Sequence, residues 1–316
     1  MNPEVVVVGS YVQDLVWHCT AFPQTGETIV GRFRSGPGGK GSNQAVAAAR
    51  AGAATVYIGA IGDDALGREA KAFYRQEKIA ARWAVKPTAS TGTAGILVNA
   101  TGQNEIVVAL GANAKLARAD VDETLIAKAR VVVTQLEANL TTAAHTLRLA
   151  RRHGAVAVLN PAPMRADFKP ALLKHVDVLI PNETEFLALL AALNVADAPA
   201  DETTLAALDA AALHALCGHL GVPVVIITLG QRGCILSRPD GYAEFPAFAV
   251  KAVDTTGAGD AFVGGFAAGL VEHEGDLTAA IRAGTAVAAL SVTKPGTAPS
   301  MPLRPALDRF LRKNKT

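Results

Sequence analysis

The chain has 316 residues, of which 50% are hydrophobic and 18% are charged, and its formal net charge is +2. This composition excludes a disordered chain, and the near balance of charges excludes the basic surface that is typical of nucleic-acid binding. The first residues, "MNPEVVVVGS", lack the segments of a secretory signal, and no apolar run has the length of a membrane span. We therefore expect a cytoplasmic globular protein, a single domain over residues 1–316, that binds neither nucleic acid nor a membrane.

Short runs of β-branched residues alternate with helical patterns along most of the chain. The predicted strands lie at residues 5–8, 55–58, 131–133, 155–159, 176–180 and 224–228. The predicted helices lie at residues 42–51, 64–77, 120–129, 140–153, 183–193 and 204–220, and the Ala-rich region 191–215 also has a helical composition. The strands are apolar on both faces, as in a parallel sheet covered by helices. The order predicts an α/β fold with a doubly wound, mostly parallel sheet.

Two segments interrupt this alternation. Residues 11–35 contain "FPQTGETIVGRFRS", in which turn residues separate short extended pieces, and residues 95–109 contain "ILVNATGQNEIVVA", a hairpin signal. We expect these segments to form a small separate sheet that acts as a lid, since lids exclude water during group transfer. The alternative is a pair of ordinary surface hairpins. A lid of this kind exposes strand edges, which predicts a homodimer formed through it.

A Gly-rich motif, "SGPGGKGSNQAVAAARAG", follows the first of these segments. Gly36, Gly38 and Gly41 formally match a dinucleotide-binding fingerprint, but that fingerprint should follow the first strand of a βαβ unit. Lys40 is followed by Gly41 and not by Ser or Thr, so the segment is not a Walker A loop. The remaining interpretation is a loop that enters a helix near Ser42, where backbone N–H groups favour anions or sugar hydroxyls.

A second motif, "VDTTGAGDAFVGGF", places three small residues, Gly257, Ala258 and Gly259, directly before Asp260 at a predicted helix start. Backbone N–H groups there can approach a phosphoryl group in transfer, and Asp260 can accept a proton from an attacking hydroxyl. The alternative is an acid that only complements the helix dipole, a gain of about 0.3–1 kcal/mol. That alternative does not explain why three neighbouring positions are bare.

Together the two motifs resemble the signature segments of the ribokinase-like, or PfkB, carbohydrate kinases, and are closest to the ribokinase branch. The resemblance runs from "VVVVGS" near one end of the chain to "KPGTAPSMP" near the other. It implies transfer of the γ-phosphoryl group of MgATP to a primary hydroxyl of a pentose, with ribose converted to ribose 5-phosphate. The implied binding partners are thus a small sugar and ATP.

The resemblance also implies roles for individual residues. It makes Asp260 the catalytic base and the backbone of Gly257, Ala258 and Gly259 the anion hole. The implied sugar-binding positions are Asp14, Gly39, Lys40, Asn43, Glu137 and Asp260. The implied nucleotide-binding positions are Asn182, Thr228, Gly230, Gly233, Gly259 and Thr285.

Two cation sites are implied in the same way. Glu185 of the N-x-x-E motif in "PNETE" acts near Mg²⁺, a hard cation that prefers oxygen ligands. A K⁺ ion is expected beside the anion hole, held mostly by backbone carbonyls. The matching positions are Asp254, Thr256, Ser291, Lys294, Gly296 and Ser300.

One residue departs from the ribokinase pattern, which usually has Asn two residues before Asp14, where this chain has Val12. Valine cannot form the hydrogen bonds of an amide to a sugar hydroxyl, and losing such a contact changes substrate discrimination. The acceptor therefore stays open between ribose, a nucleoside, a hexose and a sugar phosphate, for which Arg32 and Arg34 are available cations.

Two further classes of function are possible in principle. One is a catalytically silent sugar- or nucleotide-binding regulator on the same fold, and the intact Asp260 and anion hole argue against it. The other is a dinucleotide-dependent oxidoreductase, which only the pattern of Gly36, Gly38 and Gly41 supports.

Overall fold

The computed structural model describes residues 2–314. Its strands are β1 (Val5–Val8), β2 (Val12–His18), β3 (Arg32–Gly38), β4 (Thr55–Gly62), β5 (Ala80–Lys86), β6 (Gly92–Val98), β7 (Asn104–Ala109), β8 (Val131–Thr134), β9 (Val156–Leu159), β10 (Val178–Leu179), β11 (Val224–Thr228), β12 (Cys234–Arg238) and β13 (Gly241–Phe245). Its helices are α1 (Lys40–Ala51), α2 (Ala65–Gln76), α3 (Glu123–Ile126), α4 (Leu140–Arg152), α5 (Glu183–Ala192), α6 (Glu202–Ala206), α7 (Ala210–Gly218), α8 (Ala258–Glu272), α9 (Leu277–Ser291) and α10 (Arg304–Lys313).

The main sheet has nine strands in the order β13-β12-β11-β10-β9-β8-β1-β4-β5. All neighbours from β5 to β11 run parallel, and the hairpin of β12 and β13 adds an antiparallel edge. The expected doubly wound, mostly parallel α/β sheet is therefore confirmed. None of the helices in residues 2–314 has the length and apolar character needed to cross a membrane.

Both faces of the main sheet are buried, which explains the unbroken apolar runs of its strands. Val5 and Val7 of β1 pack into one core cluster, whereas Val6 and Val8 pack into the other. The first cluster contains residues of α1, α2, α8, α9 and α10, and the second contains residues of α3 to α7. Because side chains alternate along a strand, successive residues of β1 pack against helices on opposite faces of the sheet.

A separate four-stranded sheet, ordered β3-β2-β6-β7, forms the predicted lid. Its strands extend beyond the predicted segments, since β6 begins at Gly92 and β3 runs on to Gly38. Residues 36–38 pair with residues 12–14 as extended backbone, so part of the Gly-rich motif is strand and not loop. The face that carries Val12, Val16, Ala94 and Ile96 is buried.

Two predicted helices are wrong in extent. Over residues 120–129 the α-helix covers only α3, because Asp120 accepts the Ala117 N–H and Asp122 caps a helix that begins at Glu123. Over residues 204–220 the helix is divided into α6 and α7, because the carboxylate of Asp209 accepts the Ala212 N–H and starts a new helix. In both places an acid acts as an N-cap and sets the helix boundary.

The Ala-rich region 191–215 is not one helix either. Helix α5 ends at Ala192, and the connection to α6 contains Asn194 and Asp197 at φ values of 52° and 61°. These left-handed backbone conformations cannot continue a right-handed helix. Alanine content alone therefore overestimated the helix here.

Candidate active site

A cavity of about 250 Å³ lies between the carboxyl ends of the main strands and the buried face of the small sheet. Glu137 follows β8, Asn160 follows β9 and Thr228 ends β11, and all three line the cavity. In open α/β sheets this edge is where ligands bind. The small sheet contributes Val12 and Asp14 to the opposite wall.

Most of the predicted site residues meet in this cavity although they come from distant segments. Those that line it are Asp14, Gly39, Lys40, Asn43, Glu137, Asn182, Glu185, Thr228, Thr256, Gly257, Ala258, Gly259 and Asp260. An adjoining cavity of about 510 Å³ is lined by Asp254, Thr256 and Gly296, among others. The remaining predicted positions, Gly230, Gly233, Thr285, Ser291, Lys294 and Ser300, line neither cavity.

Asp260 is 6% exposed, in the first turn of α8, and both of its carboxylate oxygens accept hydrogen bonds from α1. Asn43 Nδ2 donates to Oδ2 at 2.9 Å, and Gln44 Nε2 donates to Oδ1 at 2.9 Å. These two amide donors from α1 fix the orientation of the Asp260 carboxylate. Gln44 was not among the predicted residues, although it directly follows Asn43 in the Gly-rich motif.

The start of α8 is open toward the cavity. Gly257 adopts a left-handed φ of 78°, and no side chain caps the first amides of the helix. A Cβ added at Gly259 would meet nothing within 4 Å, so packing does not require glycine there. Bare amides at a helix start can bind an anion, so this geometry is compatible with the predicted anion hole, which stays a prediction.

Lys40 begins α1, two residues before the predicted helix start. Its backbone N–H donates to Glu137 Oε2 at 2.8 Å, and Ser10 Oγ donates to the same oxygen at 2.6 Å. Burial lowers the pKa of Lys40, but the carboxylates of Asp260, Glu137 and Glu185 outweigh burial and hold that pKa above its ordinary value. Lys40 is therefore a cation in a cavity that is otherwise rich in carboxylates.

Asp14 lies on the small sheet and points to the same cavity. Burial raises the pKa of Asp14 to about 6, the hydrogen bond from Thr297 opposes this shift, and Glu137 and Asp260 add to it. Thr297 Oγ1 donates to Asp14 Oδ2 at 3.2 Å and ties the small sheet to the loop before α10. No motif pointed to Thr297, because its partner lies at the other end of the chain.

The N-x-x-E motif forms a capping box at the start of α5. Asn182 Oδ1 accepts the Glu185 N–H at 2.8 Å, and Glu185 Oε2 accepts the Asn182 N–H at 3.0 Å. Burial raises the pKa of Glu185, whereas the hydrogen bond from Asn182 and the charge of Lys40 oppose that shift. One oxygen of Glu185 serves the cap, which leaves the second for the cavity.

The pfkB family of carbohydrate kinases matches residues 2–304. The chain belongs to the PfkB carbohydrate kinases. It is 38% identical to the ribokinase of Haemophilus influenzae over 315 residues, which cover 98% of this chain and 99% of that protein. It is 35% identical to the deoxyribokinase of Salmonella typhimurium over 316 residues, which cover 99% of this chain and 100% of that protein.

Solved structures of PfkB kinases have the same fold. The ribokinase of Giardia lamblia matches with a TM-score of 0.88 at 31% identity, and the match covers 99% of both chains. The ribokinase of Arabidopsis thaliana complexed with ribose and ATP matches with a TM-score of 0.85 at 30% identity, and again covers 99% of both chains. The chain is thus an ATP-dependent sugar kinase with the ribokinase-like fold.

Within this kinase, the loops implied for K⁺ lie together beside α8. The Val253 and Asp254 N–H groups donate to the Val292 carbonyl, and Asp254 Oδ2 accepts the Gly296 N–H at 2.9 Å. Burial raises the pKa of Asp254, but hydrogen bonds from Gly296 and Thr256 outweigh burial and hold that pKa below its ordinary value. Asp254 therefore organises the backbone of both loops.

Val12 forms an apolar part of the cavity wall of the kinase. It is 2% exposed and lines the cavity with Ala94, Ile96 and Val108 of the small sheet.

The predicted nucleotide position Thr285 lies elsewhere, buried on α9, where its hydroxyl donates to the Ile281 carbonyl at 2.8 Å. Gly233 has a packing reason, since an added Cβ would lie 1.9 Å from the Phe245 carbonyl oxygen.

Proposed function

We propose that this kinase transfers the γ-phosphoryl group of MgATP to the primary hydroxyl of ribose, with Asp260 as the base. The observation that carries the proposal is the position of Asp260, in the uncapped first turn of α8 and within a cavity lined by Asp14, Lys40 and Asn43. An acid beside bare helix amides is the arrangement that phosphoryl transfer to a hydroxyl requires.

The sugar end of the cavity offers both donors and acceptors to a polyol. Asn43 Oδ1 is buried and has no hydrogen-bond partner within residues 2–314, so it can accept from a hydroxyl. Asp14 and Glu137 supply carboxylate oxygens, and Lys40 supplies an ammonium donor. Gly39 adds backbone at the same wall. These groups suit an acceptor with several neighbouring hydroxyls.

In the chemical step, the sugar hydroxyl oxygen forms a bond to the γ-phosphorus while the bond from that phosphorus to the leaving ADP oxygen breaks. The hydroxyl proton passes to the Asp260 carboxylate. The backbone amides of Gly257, Ala258 and Gly259 would stabilise the negative charge on the transferring group. Gly259 has open space where a side chain would stand, which supports close approach of a phosphate to these amides.

The nucleotide would bind toward β11. Asn182 and Thr228 line the cavity on that side, and the turn of Gly230 and Gly233 follows β11. Thr285 is buried on α9. Glu185 has one carboxylate oxygen outside the capping box, which suits an indirect contact to Mg²⁺ through water. A bound Mg²⁺ would neutralise charge on the ATP phosphates.

Potassium activation belongs to the same proposal. The loops that contain Asp254, Thr256 and Gly296 adjoin the start of α8. Ser291 is the last residue of α9, and Lys294 and Ser300 belong to the segment after it. A cation held by carbonyls of these loops would stabilise the anion hole without touching the sugar. Equal activity in sodium, potassium and tetramethylammonium buffers would contradict it.

The cytoplasmic location and the single domain over residues 1–316 stay predictions.

A homodimer through the small sheet also stays a proposal. The face of that sheet opposite the cavity exposes Trp17, Phe33 and Val107, and the rings of Trp17 and Phe33 lie 5.0 Å apart. Strands β3 and β7 are free edges of the sheet in residues 2–314. An apolar face with open edges supports pairing with a second copy.

A second candidate acceptor is 2-deoxyribose, and Val12 favours it. An aliphatic wall leaves a sugar hydroxyl without a partner, whereas a missing hydroxyl costs nothing there. One of the relatives is a deoxyribokinase that matches the chain over its full length.

The test is a panel of acceptors with coupled detection of ADP. Ribose, 2-deoxyribose, a hexose, a nucleoside and a pentose phosphate are compared by kcat/KM in the wild type and in Val12→Asn. If ribose is the acceptor, it has the highest kcat/KM in both proteins. If Val12 selects 2-deoxyribose, that sugar leads in the wild type and Val12→Asn shifts the ratio toward ribose. No ADP release with any acceptor would support the silent regulator instead.

A further inference from the structure

Asp260 is the end point of a buried chain of side-chain amides. Gln44 is 0% exposed, and its Nε2 donates to Asp260 Oδ1 at 2.9 Å and to Asn160 Oδ1 at 3.0 Å. Gln44 Oε1 accepts from Gln135 Nε2 at 2.6 Å. The three amides come from α1, from the end of β8 and from the end of β9. Together with α8, which carries Asp260, the hydrogen bonds of these amides connect four separate segments of the polypeptide.

The direction of every hydrogen bond in this chain is determined by one backbone carbonyl. The Ile180 carbonyl can only accept, and Asn160 Nδ2 donates to it at 2.9 Å. Asn160 must then turn its oxygen toward Gln44, so Gln44 must present its nitrogen to that oxygen. A flipped Gln44 would place its own oxygen against the oxygens of Asn160 and Asp260. Gln44 is thus held in the one orientation that donates to Asp260.

We propose that Gln44 is a positioning residue that holds Asp260 ready to accept the proton of the sugar hydroxyl, with Gln135 and Asn160 holding Gln44. The inference rests on the proposed role of Asp260 as the base. Asn43 binds the other oxygen of Asp260 but also lines the sugar end of the cavity. Gln44 is fully buried behind the carboxylate and does not line the cavity, so a bound sugar would not touch it.

The charges around Asp260 explain why a neutral donor suits this position. Within residues 2–314, the other charged groups that line the cavity are Asp14 from β2, Glu137 after β8, Glu185 from α5 and one cation, Lys40 from α1. Carboxylates outnumber cations among these groups, and the amide donors on Asp260 offset part of this negative charge. A second buried cation would attract the ATP phosphates away from the transfer geometry, whereas an amide donor adds no net charge.

The test compares Gln44→Met, Asp260→Asn and the double variant by steady-state kinetics. Methionine preserves the length of the side chain and removes both amide groups. We expect kcat of Gln44→Met to fall about 10- to 100-fold, part of the 10²–10⁴ that a general base contributes, with KM for sugar and ATP nearly unchanged. The double variant should have the residual kcat of Asp260→Asn alone, because no base is left to position.

Two controls separate positioning from folding. Thr142 lies on α4 and lines neither cavity, and its buried hydroxyl donates to the Leu116 carbonyl at 2.7 Å. Thr142→Val removes this hydroxyl and should lower thermal stability without changing kcat. Gln135→Met removes the outer amide and should lower kcat several-fold without adding to Asp260→Asn. Gln135→Met carries the test if Gln44→Met fails to fold.

The outcomes distinguish this inference from the proposed function. A near wild-type kcat in folded Gln44→Met, or an effect that multiplies with that of Asp260→Asn, overturns the positioning role. If Asp260→Asn itself retains wild-type kcat, the base assignment fails first, and any loss in Gln44→Met then has another cause.

Discussion

The position of Asp14 in the cavity favours sugar binding and lowers the stability of the fold at neutral pH. Its folded pKa of about 6 lies above the ordinary value of 3.8, so the folded chain binds this proton more tightly than the unfolded chain does. The contribution of Asp14 to stability is therefore fully present below the ordinary value and is lost as the pH rises through about 6. At neutral pH the ionised group destabilises the fold, and it is the ionised form that can accept from two sugar hydroxyls.

We predict that Asp14→Asn raises the thermal midpoint at neutral pH and weakens sugar binding. The gain in the midpoint should shrink as the pH falls toward 4, because wild-type Asp14 then carries its proton. Thermal unfolding of both proteins across this pH range, with KM for the sugar measured above pH 6, checks both effects. A destabilised Asp14→Asn at neutral pH would contradict the sign of the shift.

Single residues also mark how far the sequence could predict the site. Asp260, Asn43 and Lys40 lie in recognisable motifs, and the structure brings them into one cavity. Gln44 and Thr297 were not predicted, because the resemblance assigned no role to either position and local sequence does not show partners that lie 216 and 283 positions away. Adjacent helical residues do not normally face the same group, so Asn43 gave no reason to place Gln44 on Asp260 as well.

Among the elements, helix α8 lines the cavity with its first turn and packs against α1 further along. Near its start, a Cβ at Gly259 would point into open space. One turn further on, a Cβ at Gly264 would lie 2.4 Å from the Gln44 carbonyl oxygen and 2.5 Å from the Ala47 Cβ. The glycines of one motif thus serve two purposes: the first leaves open space at the start of the helix, and the second lets α1 and α8 approach closely.

This difference predicts opposite outcomes for two alanine variants. Gly259→Ala should fold with unchanged or slightly higher stability, since alanine favours helix by about 0.5–1 kcal/mol over glycine. Its backbone N–H remains, but the added methyl group should keep the transferring group from approaching the amides, so kcat should fall roughly 10²-fold, as if one donor were lost. Gly264→Ala should lose thermal stability because it forces α1 and α8 apart. Thermal melts and initial rates measure both, and an active Gly259→Ala would count against the anion hole.

Elements were predicted best where hydrophobic runs and caps agree. Strand β1 and helix α2, which Asp64 caps, match the predicted segments closely. The helices over residues 120–129 and 191–220 were overextended, because Asp122 and Asp209 act as caps inside apparently continuous helical patterns. Tertiary packing decides whether an acid caps a new helix or lies on the surface of an existing one, and hydrophobic periodicity carries no information about tertiary packing.

At the scale of the whole molecule, the two faces of the small sheet have different surroundings. One face closes the cavity with Val12 and Asp14, and the other exposes Val107 and Phe33, which are 77% and 56% exposed. If two copies pair through this outer face, pairing would also fix the position of the sheet over the cavity. Assembly and sugar affinity should then change together.

We predict that Val107→Arg weakens a homodimer and raises KM for the sugar. A charge placed at an apolar contact between copies must be buried or must separate them. Leu303→Arg is the matched control, because Leu303 is similarly exposed, at 61%, but precedes α10 and lies outside the small sheet. Light scattering coupled to size separation reports the mass of each protein. A monomeric wild type, or a dimer unaffected by Val107→Arg, would refute the proposed interface.

The central claim, that Asp260 takes the proton of the acceptor hydroxyl, is tested most directly by Asp260→Asn. Asparagine keeps the shape of the side chain, and a flipped Asn43 would present Oδ1 to the new amide and Nδ2 to the sugar hydroxyl, which can accept as well as donate. The cavity should therefore keep its form. The measurement is kcat with saturating sugar and MgATP, beside calorimetric binding of both ligands. We predict a loss of about 10²–10⁴ in kcat with binding retained, and a near wild-type kcat would contradict the account.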